Sequence, residues 1–345
     1  MMPFEFKPAP SALIDDRGRP LLGVYAGPIH NVNLDQFPFR RLQRFPWTLA
    51  DGTAKLLAKK WQFVGVVDET LVMGAAVVDV NYIGTSFAYV YDRQTKELTE
   101  INLKSPLASA VKFSSSAADG KTTYIGGGKR VEFNNDLGDG RRSVLIEHGD
   151  KLSVDFRYRE IGHGITSVSR TGIYGFNHCY KMVAMPAEGE ITYAGKKHTL
   201  SENALALLDW SAGVPQRETF WNWACGSGKD SKGRMTGLNF ACGMNETSFT
   251  ENTFWLDGQP EKIDTVNFDY NQDNVFEPWH LTSMDNKVDL MFYPDSERYE
   301  NQNYLLIISR LHQPFGRFEG TLNGAKGKVT IDSVYGFCEE HFAKW

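Results

Sequence analysis

Short runs in which apolar and polar residues alternate, or in which apolar residues stand together, recur along the chain. Each is stopped by glycine, aspartate, asparagine or lysine. Residues 61–67, 71–80, 86–91, 143–147 and 152–158 read this way in the first half. In the second half the runs are 219–225, 236–241, 287–293, 304–310 and 328–335. A period of two, broken at regular intervals by turn residues, predicts antiparallel strands arranged as barrels or sandwiches. Helical spacing is confined to 52–61 and 201–208, both short. Asp-Gly pairs at 119–120, 139–140 and 257–258 are hairpin signals, and 226–234 reads as a polar loop between two aromatic strands.

A chain of 345 residues is comfortable as two domains. The junction is expected between about 180 and 200, where Met185-Pro-Ala-Glu-Gly-Glu190 precedes a new strand. That divides the protein into an N-terminal β domain, 1–185, and a C-terminal β domain, 186–345. The halves share a rhythm of hairpins without an exact sequence repeat.

Composition narrows the function classes. Aromatic residues make up 13% of the chain and 32 glycines accompany them, which favours strands and tight turns. The net charge is −5, with no long basic run to neutralise phosphates, so nucleic acid is not an expected partner. Cys179, Cys225, Cys242 and Cys338 form no CxxC pair or zinc-type cluster, so no metal is expected. Sparse cysteine fits a reducing compartment, and the first ten residues lack the pattern of a signal peptide. The most apolar stretch, Phe63 to Val80, is interrupted by Asp68 and Glu69 and reads as two buried strands, not a transmembrane span. The expected location is the cytoplasm. No signal sets an oligomeric state.

The densest polar and aromatic residues lie in the C-terminal half. Alternation along Glu218–Cys225 puts Trp221 and Trp223 on one face and Phe220 and Asn222 on the other. With a loop midpoint near residue 230, Trp221 would face Asn239. These tryptophans are either core or the wall of a cavity. Asn239 and Asn252 either tie strands together or orient a ligand, with Trp255 beside them. Asp209, Glu218, Glu339 and His341 are candidate proton-transfer groups, with Glu339 and His341 two residues apart. The alternative for His341 and Trp345 is a clasp that docks the tail. His178, beside Lys181, is the ligand candidate of the N-terminal half. Gly126-Gly-Gly-Lys-Arg130 lacks P-loop spacing, and no GxSxG elbow is present.

Taken in order, Lys181-Met-Val-Ala-Met-Pro186, Leu208-Asp-Trp210, Trp221-Asn-Trp-Ala224, Gly237-Leu-Asn239 and Glu251-Asn252 form a recognisable series. It continues through Asp257-Gly258, Asp289-Leu-Met-Phe292, Gln313-Pro-Phe-Gly316 and Gly336-Phe-Cys-Glu-Glu-His341 with Trp345. This series resembles a bacterial family known as domain of unknown function 2804. That family is similar, remotely, to two-lipocalin-domain proteins of the carotenoid 1,2-hydratase and tocopherol cyclase type. The resemblance implies two lipocalin-like antiparallel β-barrel or β-sandwich halves side by side, with a cavity in or between them. It also implies cofactor-free protonation of an isoprenoid alkene, for which tryptophan faces would suit the cation.

The leading expectation is therefore a small-molecule pocket for an apolar or amphipathic ligand, with acid–base hydration, cyclisation or isomerisation as its chemistry. A non-catalytic lipid carrier would instead have an apolar cavity with Glu339 and His341 outside it. A carbohydrate-active enzyme would have an open groove with two carboxyls about 5–10 Å apart.

Overall fold

The computed structural model describes residues 4–39, 55–136, 140–172, 175–244, 249–303 and 307–345. The described residues are mostly β, with no α-helix and two single-turn 3-10 segments, Leu34–Gln36 and Lys55–Leu57. Among the described residues two sheets, antiparallel apart from the parallel pairing of Lys7–Pro8 with Gly23–Ala26, form a nearly closed barrel and a half-barrel. The main path of the first runs Glu97–Pro106, Ile83–Asp92, Leu71–Asp79, Lys59–Val67, Leu205–Val214, Gly175–Tyr193, Leu152–Arg159, Arg141–His148, Lys129–Asn134, Lys121–Gly126 and Val111–Lys112. The second runs Gln259–Lys262, Thr253–Leu256, Met235–Cys242, Glu218–Lys229, Gly327–Lys344, Ile308–Gly324, Val288–Asn303, Trp279–Ser283 and Val266–Asp269.

Several local expectations change. The 201–208 segment starts no helix: Glu202 and Asn203 turn, and Leu205–Val214 is a strand buried along its whole length. Only Lys55–Leu57 coils within 52–61, and a strand begins at Lys59. Tertiary pairing overrides helical propensity at both places. Residues 52–54, 137–139 and 304–306, which figure in the sequence expectations, lie outside the described residues.

The stretch around Met185-Pro186 is also not a linker. It lies inside the 19-residue strand Gly175–Tyr193, where the pairing slips between Met182 and Met185 and Ala184 takes a positive φ of 56°. A bulge of this kind accommodates the proline and bends the strand without ending it. Sheet membership changes between Val214 and Glu218, so the strand Leu205–Val214 belongs with the first sheet.

Most central strands bury both faces, and the period of two sorts their residues between cores. Val64, Val66, Met73, Ala75, Leu208 and Trp210 fill the first barrel. Ala224, Leu238, Phe240, Phe254, Phe318 and Cys338 fill the second. The intervening residues of the same strands, among them Phe63, Ala76, Tyr89, Leu207, Trp221, Trp223, Phe315 and Phe337, meet in a third core where the sheets face each other. A further cluster of Leu13, Ile14, Ile29 and Phe37 packs an N-terminal strap on Val168, Phe176 and Val214.

The sheets come into close contact at Gly237. A Cβ there would lie 2.3 Å from Val183 Cγ2 and 3.0 Å from the Ala184 Cβ. The Gly237→Ala variant is expected to be destabilised by about 1–3 kcal/mol, the usual range for overpacking. A urea midpoint equal to that of the parent would show that the sheets can part at no cost.

Candidate functional site

A cavity of about 230 Å³ opens in the intersheet core. Its aromatic wall includes Trp61, Phe63, Phe87, Trp221, Trp223 and Trp345. Trp61 comes from the first sheet and Trp221 from the second, and their rings stack 5.9 Å apart at 22°. Trp345 stacks on both, at 6.3 and 6.5 Å. Aliphatic side chains, Val78, Leu103, Ile308 and Leu311, complete much of the lining.

Two carboxylate centres are set into this wall. The first is built on a charge pair across the first sheet. Lys181 and Asp209 are direct partners in the register of Gly175–Tyr193 with Leu205–Val214, and both point out of the barrel towards the second sheet. Lys181 Nζ lies 2.8 Å from Asp209 Oδ2 and 3.1 Å from Glu251 Oε1. All three are almost fully buried. Trp61 Nε1 donates to Asp209 Oδ2 at 2.9 Å, and Ser211 Oγ donates to Oδ1 at 2.8 Å. Cys179 Sγ donates to Glu251 Oε2 at 3.0 Å. The ammonium of Lys181 also sits 4.3 Å from the centre of the Trp223 ring, a cation–π contact.

One ammonium therefore serves two buried carboxylates. Burial works against the charge on Lys181, but Asp209 and Glu251 outweigh it and hold its pKa above the ordinary lysine value. The carboxylates divide. Burial raises the pKa of Asp209, with Glu251 adding to the shift and Lys181 opposing it. Burial also works against Glu251, but Lys181 and the Cys179, Lys181 and Asn239 hydrogen bonds bring its pKa below the ordinary value. The two carboxylates titrate as a coupled pair.

The second centre lies on the second sheet. Glu339 Oε1 accepts from Trp221 Nε1 at 2.8 Å, and Oε2 accepts from Gln313 Nε2 at 2.8 Å. His341 Nδ1 is 3.6 Å from Glu339 Oε1, its Nε2 is 2.9 Å from Ser309 Oγ, and its ring lies 4.2 Å from that of Trp221. Glu339, His341, Gln313 and Ser309 all line the cavity. The tail is docked at the same place: Trp345 N donates to Arg217 O at 3.0 Å and its indole to Thr219 Oγ1 at 3.3 Å. Trp345, which fastens the C-terminal strand, is thus itself a cavity residue.

The remaining sequence candidates sit elsewhere. Glu218 is exposed at the outer end of its strand and pairs with Lys344 at 2.6 Å. It shares strand parity with Phe220 and Asn222, opposite to the two tryptophans. Trp255 is fully buried and donates to His163 O. Asn252 ties strands, accepting from Ala241 N and donating to Asp264 O. Asn239 stands behind the wall, accepting from Trp223 Nε1 at 2.8 Å and donating to Glu251, so it positions both. The hairpin register pairs Asn239 with Cys225, four residues from the expected Trp221, because the turn centres near residue 232. An even shift leaves the faces unchanged.

His178 also faces away from the cavity, into the first barrel, edge-on to Trp210 with ring centres 5.5 Å apart. Neither ring nitrogen has a hydrogen-bond partner among the described residues, and burial pushes its pKa down to about 3. The unfolded chain binds this proton near pH 6.5 and the native one does not, so His178 favours the native state less as pH falls below 6.5. Alone it removes about 2 kcal/mol by pH 5. His178→Leu is expected to flatten the fall of the melting midpoint between pH 7 and 5. An unchanged slope would assign the acid sensitivity to other groups.

Sequence reasoning missed Glu251 and Trp61 and left Lys181 only as a neighbour of His178. The signal was there: a lone Lys in Cys179-Tyr-Lys-Met-Val183 and a lone Asp in Leu207-Leu-Asp-Trp-Ser211 each interrupt an apolar strand, and a buried charge needs a counter-charge. No group of three or more His, Cys, Asp or Glu among the described residues has the arrangement of a metal site.

The model of a family described as domain of unknown function (DUF2804) matches residues 5–345, both halves of the chain and not the second alone. No curated protein matches the sequence. Among solved structures, CghA with Sch210972 is similar, with a TM-score of 0.54 and 10% identity over 83% of this chain and 88% of that one. CghA in a second structure gives a TM-score of 0.55 at 10% identity, with the same coverage. A putative AttH from Nitrosomonas europaea gives 0.52 at 12% identity over 82% of this chain and 92% of that one. At these identities the likeness is one of fold, and it supports the arrangement of two lipocalin-like halves.

Proposed function

This chain belongs to the DUF2804 family, and from that premise we propose that it is a small-molecule enzyme whose intersheet cavity performs cofactor-free acid–base chemistry on an apolar or amphipathic ligand. The observation that carries the reading is Asp209: a buried carboxyl of raised pKa, set in an aromatic cavity wall and held by Trp61, Ser211 and Lys181. In its protonated form such a carboxyl can donate the proton to an alkene or enol and recover it from water or a neighbouring carbon, which is hydration, cyclisation or isomerisation. Lys181 and Glu251 tune it.

Two features favour this over a lipid carrier. Glu339 and His341 line the cavity instead of lying outside it, and the charged cluster of Lys181, Asp209 and Glu251 is set into its wall. A carrier gains nothing from burying a charge cluster that costs several kcal/mol to desolvate. The aromatic cavity between two sheets also differs from the open groove of a carbohydrate-active enzyme. The fold itself accommodates small organic molecules, as the CghA structure with Sch210972 illustrates for that protein. Among the described residues no helix is long and apolar enough to cross a membrane. The buried thiols Cys179, Cys225 and Cys338 suit a cytoplasmic setting.

Native mass spectrometry of gently purified protein, with a panel of prenyl, fatty and sterol-like compounds, tests the reading. It predicts a single adduct of one ligand per chain. A panel in which no member adds mass, or a preference for sugars, would refute it.

A further inference from the structure

We propose that Ser309 is a nucleophile, activated by His341 and Glu339, and that the cavity also supports acyl transfer from carboxylic esters with an apolar acyl or alkoxy group. The inference goes beyond acid–base chemistry at Asp209 and stands on different residues. No serine-elbow motif announces it; the three residues come from two adjacent strands, with Ser309 on Ile308–Gly324 and Glu339 and His341 on Gly327–Lys344. Strand register places His341 opposite Leu311 and Ala343 opposite Ser309, so Ser309 and His341 are diagonal neighbours on one face.

The three side chains stand in the order that serine activation needs. Ser309 Oγ is 2.9 Å from His341 Nε2. His341 Nδ1 is 3.6 Å from Glu339 Oε1, a separation of the loose kind common before substrate binds. A carboxylate at Nδ1 selects the tautomer with its proton there, which leaves Nε2 as the acceptor for the serine hydroxyl. Glu339 is itself oriented by Trp221 Nε1 and Gln313 Nε2. Ser309 and His341 are partly accessible, while Glu339 is buried, the gradient expected from nucleophile to orienting group. Arg298 and Lys104 line the same cavity, where Arg298 is held by Glu100 at 2.7 Å and Glu300 at 3.0 Å. The apolar wall sets the substrate class.

The step balances without a cofactor. Oγ attacks the ester carbonyl carbon as Nε2 takes the serine proton. The tetrahedral intermediate collapses with cleavage of the bond to the alkoxy oxygen, which receives that proton and leaves as the alcohol. Water, deprotonated by the same nitrogen, then cleaves the acyl-serine to a carboxylic acid and regenerates Oγ–H.

The test is covalent labelling of the full chain with an alkyl fluorophosphonate, read by intact mass and peptide mapping. One phosphonyl group per chain on Ser309 is expected. Ser309→Ala should take up none, and His341→Gln should react about 100-fold or more slowly, the loss typical of a general base. Both variants should unfold at the parent's temperature. Hydrolysis of p-nitrophenyl butyrate should fall in parallel. A folded parent that remains unlabelled at Ser309, or a Ser309→Ala variant that hydrolyses the ester at the parent's rate, would overturn the proposal.

Discussion

Replacing Lys181 with methionine is expected to destabilise the protein by about 3–5 kcal/mol, the cost of removing one partner from a buried ion pair. Methionine fills much the same volume, so the loss is electrostatic. Asp209 and Glu251 are left facing each other in the intersheet core, with the neutral donors Trp61, Ser211, Cys179 and Asn239 beside them in place of the ammonium. The sign of the pH dependence follows. Without the ammonium, burial and mutual repulsion raise both carboxyl pKa values above those of the unfolded chain. The variant is then relatively most stable below about pH 4 and loses stability as pH rises. Adding Asp209→Asn to Lys181→Met should restore part of the loss, because one buried charge disappears. Urea unfolding at pH 4 and 7 measures this directly. A parent-like midpoint at pH 7 would show that the cluster is hydrated or already neutral.

Asp209→Asn alone is expected to separate stability from activity in the opposite sense. The cluster carries two carboxylates for one ammonium, so removing one leaves the matched pair Lys181–Glu251. The asparagine oxygen still accepts from Trp61 or Ser211. The fold should therefore tolerate the change, with a melting midpoint near the parent's. Turnover should fall about 10²–10⁴-fold, the usual contribution of a positioned acid, while ligand binding persists. Turnover retained within about threefold would move the proton donor elsewhere in the cavity, with Glu339 and His341 next in line.

Strand existence was the most legible property of the sequence, and the reason is the period of two. In Trp61-Gln-Phe-Val-Gly-Val-Val67 and Leu71-Val-Met-Gly-Ala-Ala-Val77 nearly every residue is buried because alternate residues belong to different cores. That pattern, continuous apolar strands in an antiparallel sheet, is itself a sign of a second layer on the outer face. Helix assignments failed where local preference and pairing disagreed. Ala204-Leu-Ala-Leu-Leu208 has helical propensity, but Lys59–Val67 and Gly175–Tyr193 claim its backbone on both edges.

The candidate site was half legible. Asp209, Trp221, Trp223, Glu339 and His341 do come together around one cavity, from strands of both sheets. Glu218 and His178 do not. Parity along their strands already separated them from the tryptophans and from Lys181. The Lys181–Asp209 pair was hidden for a different reason. Recognising it requires the hairpin that turns near Gly195, and the proline-bearing bulge at Met185-Pro186 made that strand read as a linker. Glu251 reaches the site through the packing of one sheet on the other, and Trp61 through the pairing of Lys59–Val67 with Leu205–Val214, neither of which short-range spacing encodes.

The central claim is that the intersheet cavity holds the ligand. Val78 lines it and stands directly opposite Trp61 in the pairing of Lys59–Val67 with Leu71–Asp79, so Val78→Trp extends the aromatic wall into the empty volume. Calorimetric titration of parent and variant with the compound identified by native mass spectrometry gives the decisive comparison. The account predicts one ligand per parent chain and at least a tenfold weaker affinity in Val78→Trp, about 1.4 kcal/mol, at a similar melting temperature. Equal affinity in the two proteins would place the ligand elsewhere and contradict it.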